Sequence, residues 1–347
     1  MKDKNQGRRS DIIEKIKQRS KEELNPQKLA NELLAGDKNA LASSVTLIES
    51  VKDSDSVIAA EVLRHILPHS GNSLRIGITG SPGAGKSTFI EAFGMFLLKL
   101  GKKVAVLAVD PSSESGKGSI LGDKTRMNDL AAHPDSFIRP SPSSGNSGGV
   151  ARKTRECIFL CEAAGFDTIL IETVGVGQSE TAVKSMVDVF LLLSIAGAGD
   201  ELQGIKRGIM EMADIVLVNK ADGDNLNRSK AAKSDIQRAL HLFPPSDSGW
   251  IPLSLLCSSI NSTGLEEVWN SIEKFESQLK TTAYFKQNRE NQSKWWLKES
   301  IQEKLLNDFN QHPAIKKEKK ILEKKVQAGE LSVSEASERL VQLYKSK

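Results

Sequence analysis

The junction at residues 74–88 constrains the fold more than any other part of the chain. The apolar run LRIGIT (74–79) passes directly into GSPGAGKST (80–88), and the residues that follow have the pattern of an amphipathic helix. From Gly80 to Ser87 the segment fits G-x-x-x-x-G-K-S/T, with Thr88 next. Glycines at Gly80, Gly83 and Gly85, interleaved with Ser81, Pro82 and Ala84, let the backbone wrap closely enough for successive N–H groups to face phosphate oxygens. Lys86 adds a cation at the β- and γ-phosphates, and the Ser87 hydroxyl can ligate Mg²⁺. The helix starting there aims its positive end at the anion.

Five more apolar runs follow: KVAVLAVD, DTILIET, DVFLLLSI, DIVLVNK and WIPLSL. They are continuously apolar rather than alternating, as expected for strands covered on both faces. Strands alternating with helices imply an α/β fold with a doubly wound, mostly parallel sheet, and a ligand site beyond the carboxyl ends of the strands. Residues 1–70 are polar-rich, with Leu29, Leu33, Leu34, Leu41, Val45 and Ile48 at helical spacing, so they read as an N-terminal helical extension. The segment LPHSGNS (67–73) reads as a turn into the domain of residues 71–280. Residues 281–347 are almost wholly helical in pattern. There Trp295 and Trp296 are adjacent, so both cannot face one narrow stripe of a single helix.

The 48 basic and 44 acidic residues nearly balance at net +4, which does not argue for nucleic acid. Cys157, Cys161 and Cys257 form no C-x-x-C pair, so a reducing compartment is expected. No run reaches the roughly 18 apolar residues that span a bilayer, and the basic start lacks a secretory apolar segment. A cytoplasmic protein with no membrane partner is the expectation.

The stretch Asn219, Lys220, Ala221, Asp222 ends a predicted strand and fits N-K-x-D, the guanine-reading element. An Asp222 carboxylate can accept from both N1–H and N2–H₂ of guanine, whereas adenine offers no such pair, and an unpaired buried carboxylate is costly. Ser258, Ser259 and Ile260, in and just after CSS, lie where a backbone contact to the base is expected. In DTILIETVGVGQSE (167–180), Glu172 stands in the Asp place of D-x-x-G. It can hold Mg²⁺ through water, and the Gly175 N–H can sense a γ-phosphate. Residues 175–183 are flexible enough in composition to move when that phosphate leaves. Asp110 and Asp123 are further candidates for the metal or for positioning water. Asp123 reads equally as an N-cap of the segment after it. Gln178 lies three residues beyond Gly175, off the usual place of a catalytic glutamine, so slow intrinsic turnover completed by a partner is expected. The catalytic set is therefore Lys86, Asp110, Asp123, Glu172 and Gln178, and the metal set Ser87, Asp110, Asp123 and Glu172.

In order and spacing, GITGSPGAGKST, VDPSS, GSILGDKTRM, RPSPSSG…GGVARKTRE, ETVGVGQSE and VNKAD resemble the MeaB/ArgK family, over about residues 30–310. These are G-protein chaperones of adenosylcobalamin-dependent methylmalonyl-CoA mutase. The resemblance implies a P-loop NTPase fold of the SIMIBI class, a C-terminal dimerisation arm and a homodimer. It further implies GTP/GDP as ligand with Mg²⁺, and hydrolysis that gates cofactor loading into the mutase and protects it. By the same resemblance Lys86, Ser87, Asp110, Asp123 and Glu172 fall on phosphate and Mg²⁺ positions. Two departures are mild: CSS stands where CSA is usual, and GNSGG where GTLGG is common. A nickel-delivery GTPase is the alternative reading, but the five histidines are scattered and Cys157 and Cys161 form only a C-x₃-C. A protein kinase ranks last, for no H-R-D or D-F-G element appears.

Overall fold

A computed structural model describes residues 25–109, 127–139, 147–173, 179–197, 207–244 and 246–346. Its centre is a seven-stranded sheet in the order β3-β2-β4-β1-β5-β6-β7, with every pairing parallel. The strands are β1 (Leu74–Gly80), β2 (Val104–Val109), β3 (Ser136–Arg139), β4 (Thr168–Thr173), β5 (Val189–Ile195), β6 (Ile215–Asn219) and β7 (Leu253–Leu256). Six of these are the apolar runs of the sequence. The seventh, β3, carries no comparable signal, because it is an edge strand with Phe137, Ile138 and Arg139 only half-buried. Strands β2 to β4 lie on one side of β1 and β5 to β7 on the other. The chain therefore reverses its winding at β1, and the phosphate-loop sequence leaves the sheet at that switch point.

The helix Lys86–Lys99 packs on the sheet through Phe89, Ile90, Phe93 and Leu97, all with no exposed surface. They join Trp269, Ile272 and Phe275 of the helix Leu265–Thr281 in one core. The rings of Phe89 and Phe93 stack at 5.2 Å, and Trp269 meets Phe93 at 6.3 Å. Burying a run of such side chains stabilises the unit by roughly 1.5–3 kcal/mol each.

Three helices, Pro26–Leu34, Lys38–Glu49 and Asp53–Ile66, precede the sheet. Asn25 and Asp37 cap the first two, each side chain accepting from two backbone N–H groups. Polar ties hold the second to the sheet side: Lys38 Nζ donates to Ser136 O at 2.6 Å, Lys153 Nζ donates to Glu49 O at 2.8 Å, and Arg139 pairs with Glu49. Below β1, the buried Arg75 guanidinium pairs with Glu162 at 2.8 Å. The Glu162 carboxylate also accepts from Ser73 Oγ at 2.6 Å and Gly71 N at 2.7 Å.

The chain forms two compact units, up to Asn288 and from Arg289. In the second, the helices Pro313–Gln327 and Val333–Lys345 bury Ile315, Leu322 and Ala336. On the helix Tyr284–Gln311, Trp296 is buried and Trp295 is 39% exposed, as adjacency on one helix requires. Among the described residues no helix is long and apolar enough to cross a membrane.

Candidate functional site

The loop after β1 is shaped by close approaches. A Cβ on Gly80 would fall 2.4 Å from Leu193 O, so only glycine lets the strand end pass β5. Gly85, the N-cap of the helix Lys86–Lys99, has φ +86°, and a Cβ there would fall 2.8 Å from Asn219 Nδ2. Between them Ala84 N donates to Ser81 O at 3.1 Å, closing the turn, while Pro82, Gly83 and Thr88 are exposed. Lys86 reaches back to donate to Gly80 O at 2.8 Å and Ser81 O at 3.4 Å, which holds its ammonium over the loop. Burial lowers the Lys86 pKa below the usual lysine value, and the Glu172 and Glu180 carboxylates oppose that shift.

Glu172 sits buried near the end of β4, and its Oε1 accepts from Ser87 Oγ at 3.3 Å. A carboxylate and a hydroxyl thus meet beside the first turn of the helix, the hard oxygen donors that Mg²⁺ takes. Thr173 Oγ1 donates to Thr79 Oγ1 at 2.9 Å, locking the ends of β4 and β1 in register. Glu180, in the first turn of the helix Ser179–Lys184, is buried as well. Of the remaining predicted residues here, Asp110, Asp123, Gly175 and Gln178 lie outside the described residues.

The base-reading side comes from β6 and β7. Asn219 ends β6 fully inside the protein, and its Nδ2 donates to Ala84 O at 2.9 Å. Its Oδ1 accepts from Ser259 Oγ at 2.9 Å and from Ser259 N at 3.3 Å. Lys220 then turns the chain with φ +57°, an uncommon conformation for a side chain of its size. Asn225 Nδ2 donates to Lys220 O at 2.8 Å and supports that turn. The half-buried Asp222 carboxylate accepts from Ser258 Oγ, and Ala221 N donates to Cys257 O at 3.0 Å. Ser258 also bridges to Thr263 across its own turn, while Ile260 stands 77% exposed at the tip.

The structure therefore joins the phosphate loop, Glu172, Asn219, Asp222, Ser258 and Ser259 at the carboxyl ends of neighbouring strands. Sequence reasoning assigned the CSS segment a backbone contact and missed its hydroxyls: Ser258 holds Asp222, and Ser259 holds Asn219. The repeated serine after a strand is the one signal that could have shown it.

Cys157 and Cys161 are both buried, and burial pushes both thiols well above the usual range. Their C-x₃-C spacing therefore presents core side chains rather than exposed thiolates. Among the described residues no three His, Cys, Asp or Glu side chains gather as a cation site.

Residues 41–314 match the family described as methylmalonyl Co-A mutase-associated GTPase MeaB. The GTPase ArgK of Escherichia coli is 50% identical over 275 residues, 79% of this chain and 83% of that protein. A mouse protein named methylmalonic aciduria type A homolog, mitochondrial, is 42% identical over 337 residues, 94% of this chain and 81% of that protein. The crystal structure of an LAO/AO transport system kinase is similar with a TM-score of 0.75 at 38% identity, covering 93% of this chain and 99% of that one.

Proposed function

The chain belongs to the MeaB family of methylmalonyl-CoA mutase-associated GTPases, and we propose that its GTP cycle gates adenosylcobalamin loading into such a mutase and protects the loaded enzyme. The protein is a GTPase. One observation carries the nucleotide side of this reading: Asn219, at the guanine-reading strand end, donates to the phosphate loop at Ala84 O over 2.9 Å. A single molecule bound there meets both elements.

In this reading Asp222 takes the guanine N1–H and N2–H₂, trading its bond to Ser258 for the base. Loop N–H groups and Lys86 hold the phosphates, so the ammonium exchanges carbonyl partners for phosphate oxygens. Ser87 Oγ and Glu172, with Asp110 and Asp123, would hold Mg²⁺, whose charge supplies neutralisation at the β- and γ-phosphate oxygens. What this chain itself contributes is positioning of the phosphate for in-line attack by water. The segment 175–183 is assigned the role of sensing the γ-phosphate and reporting it to the mutase, with Gln178 acting in the stimulated reaction.

The second unit is assigned the role of a homodimer arm. Leu297, Ile301 and Leu305 are 64%, 49% and 58% exposed and follow one another at four-residue spacing, which places them on one stripe of the helix. The buried Trp296 faces elsewhere on the same helix, about 100° round from its neighbour at Leu297.

Calorimetry with GTP, GDP and ATP tests the nucleotide side: guanine nucleotides should bind at least ~100-fold tighter than ATP, and Asp222→Asn should turn the preference toward xanthine nucleotides. Equal affinity for GTP and ATP would sink it. The partner side is tested by adding purified methylmalonyl-CoA mutase, which should raise the GTP turnover. A turnover indifferent to the mutase overturns that half.

A further inference from the structure

The base-reading and phosphate-reading loops meet through one side chain, Asn219. Its amide is engaged at both ends: Nδ2 donates to Ala84 O, while Oδ1 takes Ser259 Oγ at 2.9 Å and Ser259 N at 3.3 Å. The carbonyl at Ala84 fixes which end of the amide faces the loop. The amide is also wedged, since even a Cβ on Gly85 would come within 2.8 Å of its Nδ2. Asn219 and Ser258 are essentially inaccessible to solvent and Ser259 is buried, so water cannot replace any of these bonds.

The two bonds from Ser259 differ. The backbone bond is long, and that N–H is the group the bound base would recruit. The hydroxyl bond, at 2.9 Å, is the shorter of the two. We propose that the Ser259 hydroxyl is a positioning residue that keeps Asn219 fixed while the base takes the Ser259 N–H, and thereby sets how fast the nucleotide leaves. This deepens, and rests on, the guanine-nucleotide reading of the site.

Hydrogen-bond satisfaction at Asn219 Oδ1 decides the outcome. With the hydroxyl present, Asn219 Oδ1 keeps a donor partner when the N–H turns to the nucleotide. Without it, binding the base through that N–H strands a buried amide oxygen, which costs more than an ordinary lost hydrogen bond. Asn219 would then relax, and its bond to Ala84 O would loosen with it. The relay therefore links guanine occupancy to the order of the phosphate loop through Ser259, Asn219 and Ala84.

The test is the full-length chain carrying Ser259→Ala. Dissociation of a fluorescent GDP analogue, chased with excess GDP, should quicken about five-fold, the factor that one neutral hydrogen bond carries. Binding of inorganic pyrophosphate with Mg²⁺, measured by competition, should weaken by about two-fold or more although pyrophosphate never touches the base loops. Ser259→Cys, whose thiol is a weaker donor, should fall between wild type and alanine and carries the test if the alanine variant misfolds. An unchanged GDP dissociation rate overturns the proposal. Faster GDP release with unaltered pyrophosphate affinity overturns it too, because Ser259 would then act on the base alone. Wild-type protein that fails to prefer guanine over adenine nucleotides would instead remove the site reading beneath it.

Discussion

The two units close their surfaces in different ways. Up to Asn288, large exposed apolar side chains such as Val51, Leu100, Leu242 and Ile260 are scattered among separate turns and loops, as on any soluble surface. From Arg289 onward, Trp295, Leu297, Ile301, Leu305 and Leu306 are all exposed on one helix. The interior of that second unit is thin: Ile315, Leu322 and Ala336 are buried, with Trp296. An edge contact of Phe309 on Tyr344 and the Tyr344 to Asp308 hydrogen bond add to it. In the core of the first unit the buried Arg75 and Glu162 satisfy one another. The second leaves apolar surface for something else to cover. We assign chemistry to the first unit and, on the reading proposed above, assembly to the second.

The largest effect is expected at Glu162. Its carboxylate takes Arg75, Ser73 and Gly71, so Glu162→Ala leaves a guanidinium buried at 2% exposure without its counter-ion. Breaking such a pair costs about 3–5 kcal/mol. Urea unfolding should show that loss, and a cost under ~1 kcal/mol would mean the first unit is not locked from within as argued.

Next comes Lys86. Lys86→Ala should lower GTP turnover by about 10²–10³-fold, the usual cost of removing one charge-stabilising group from such a site. Dimerisation, read by sedimentation, should not change. Loss of dimer in this variant would show that the nucleotide site and the arm are not separable.

Much of the first unit was legible because the physics there is one-dimensional. A strand covered on both faces must be apolar throughout, and DTILIET or DVFLLLSI announces itself. The edge strand Ser136–Arg139 escaped because solvent on one side removes that requirement. At the site, glycines and Lys86 were readable because only those residue types can wrap and charge a phosphate. The left-handed turn at Lys220 was not, since its sign in a sequence is glycine and here a lysine is held there by Asn225 and its neighbours. Nor were the serine hydroxyls on Asp222 and Asn219, which exist only once β6 and β7 are side by side. Hydrogen bonds between loops are products of the fold, whereas apolar runs are causes of it.

A third effect sits in the arm. Leu297→Ser with Ile301→Ser removes apolar surface that is already exposed, so monomer stability should hardly move. If the stripe is an interface anchor, the dimer should weaken by about 2 kcal/mol or more, with GTP affinity unchanged. Sedimentation of a wild-type monomer, or a variant that dimerises normally, would break the assignment of assembly to this unit.

The smallest effect, taken per group, separates the units by pH. All three cysteines lie in the first unit and all are buried. Burial raises each thiol above its unfolded pKa of 9.0, that of Cys257 to about 11. Below pH 9 both states hold the protons, and the stabilisation is fully present. Between 9 and about 11 the unfolded chain ionises while the fold keeps its thiols protonated, so stability falls as pH rises. Each thiol contributes at most about 1.4 kcal/mol of loss per pH unit. Lys86, whose pKa is lowered, works in the opposite direction and offsets part of it. Cys257→Ala should therefore flatten the alkaline decline by one thiol's share up to pH 11 and leave it unchanged beyond. The arm has no cysteine, and its alkaline slope should come instead from Tyr344, whose hydroxyl is held above its ordinary value by the hydrogen bond to Asp308. Denaturant midpoints measured at half-unit steps above pH 8.5 would decide it. An identical slope with and without Cys257 would mean that this thiol ionises in the folded protein, and that the wall behind the base-reading loop is open to water.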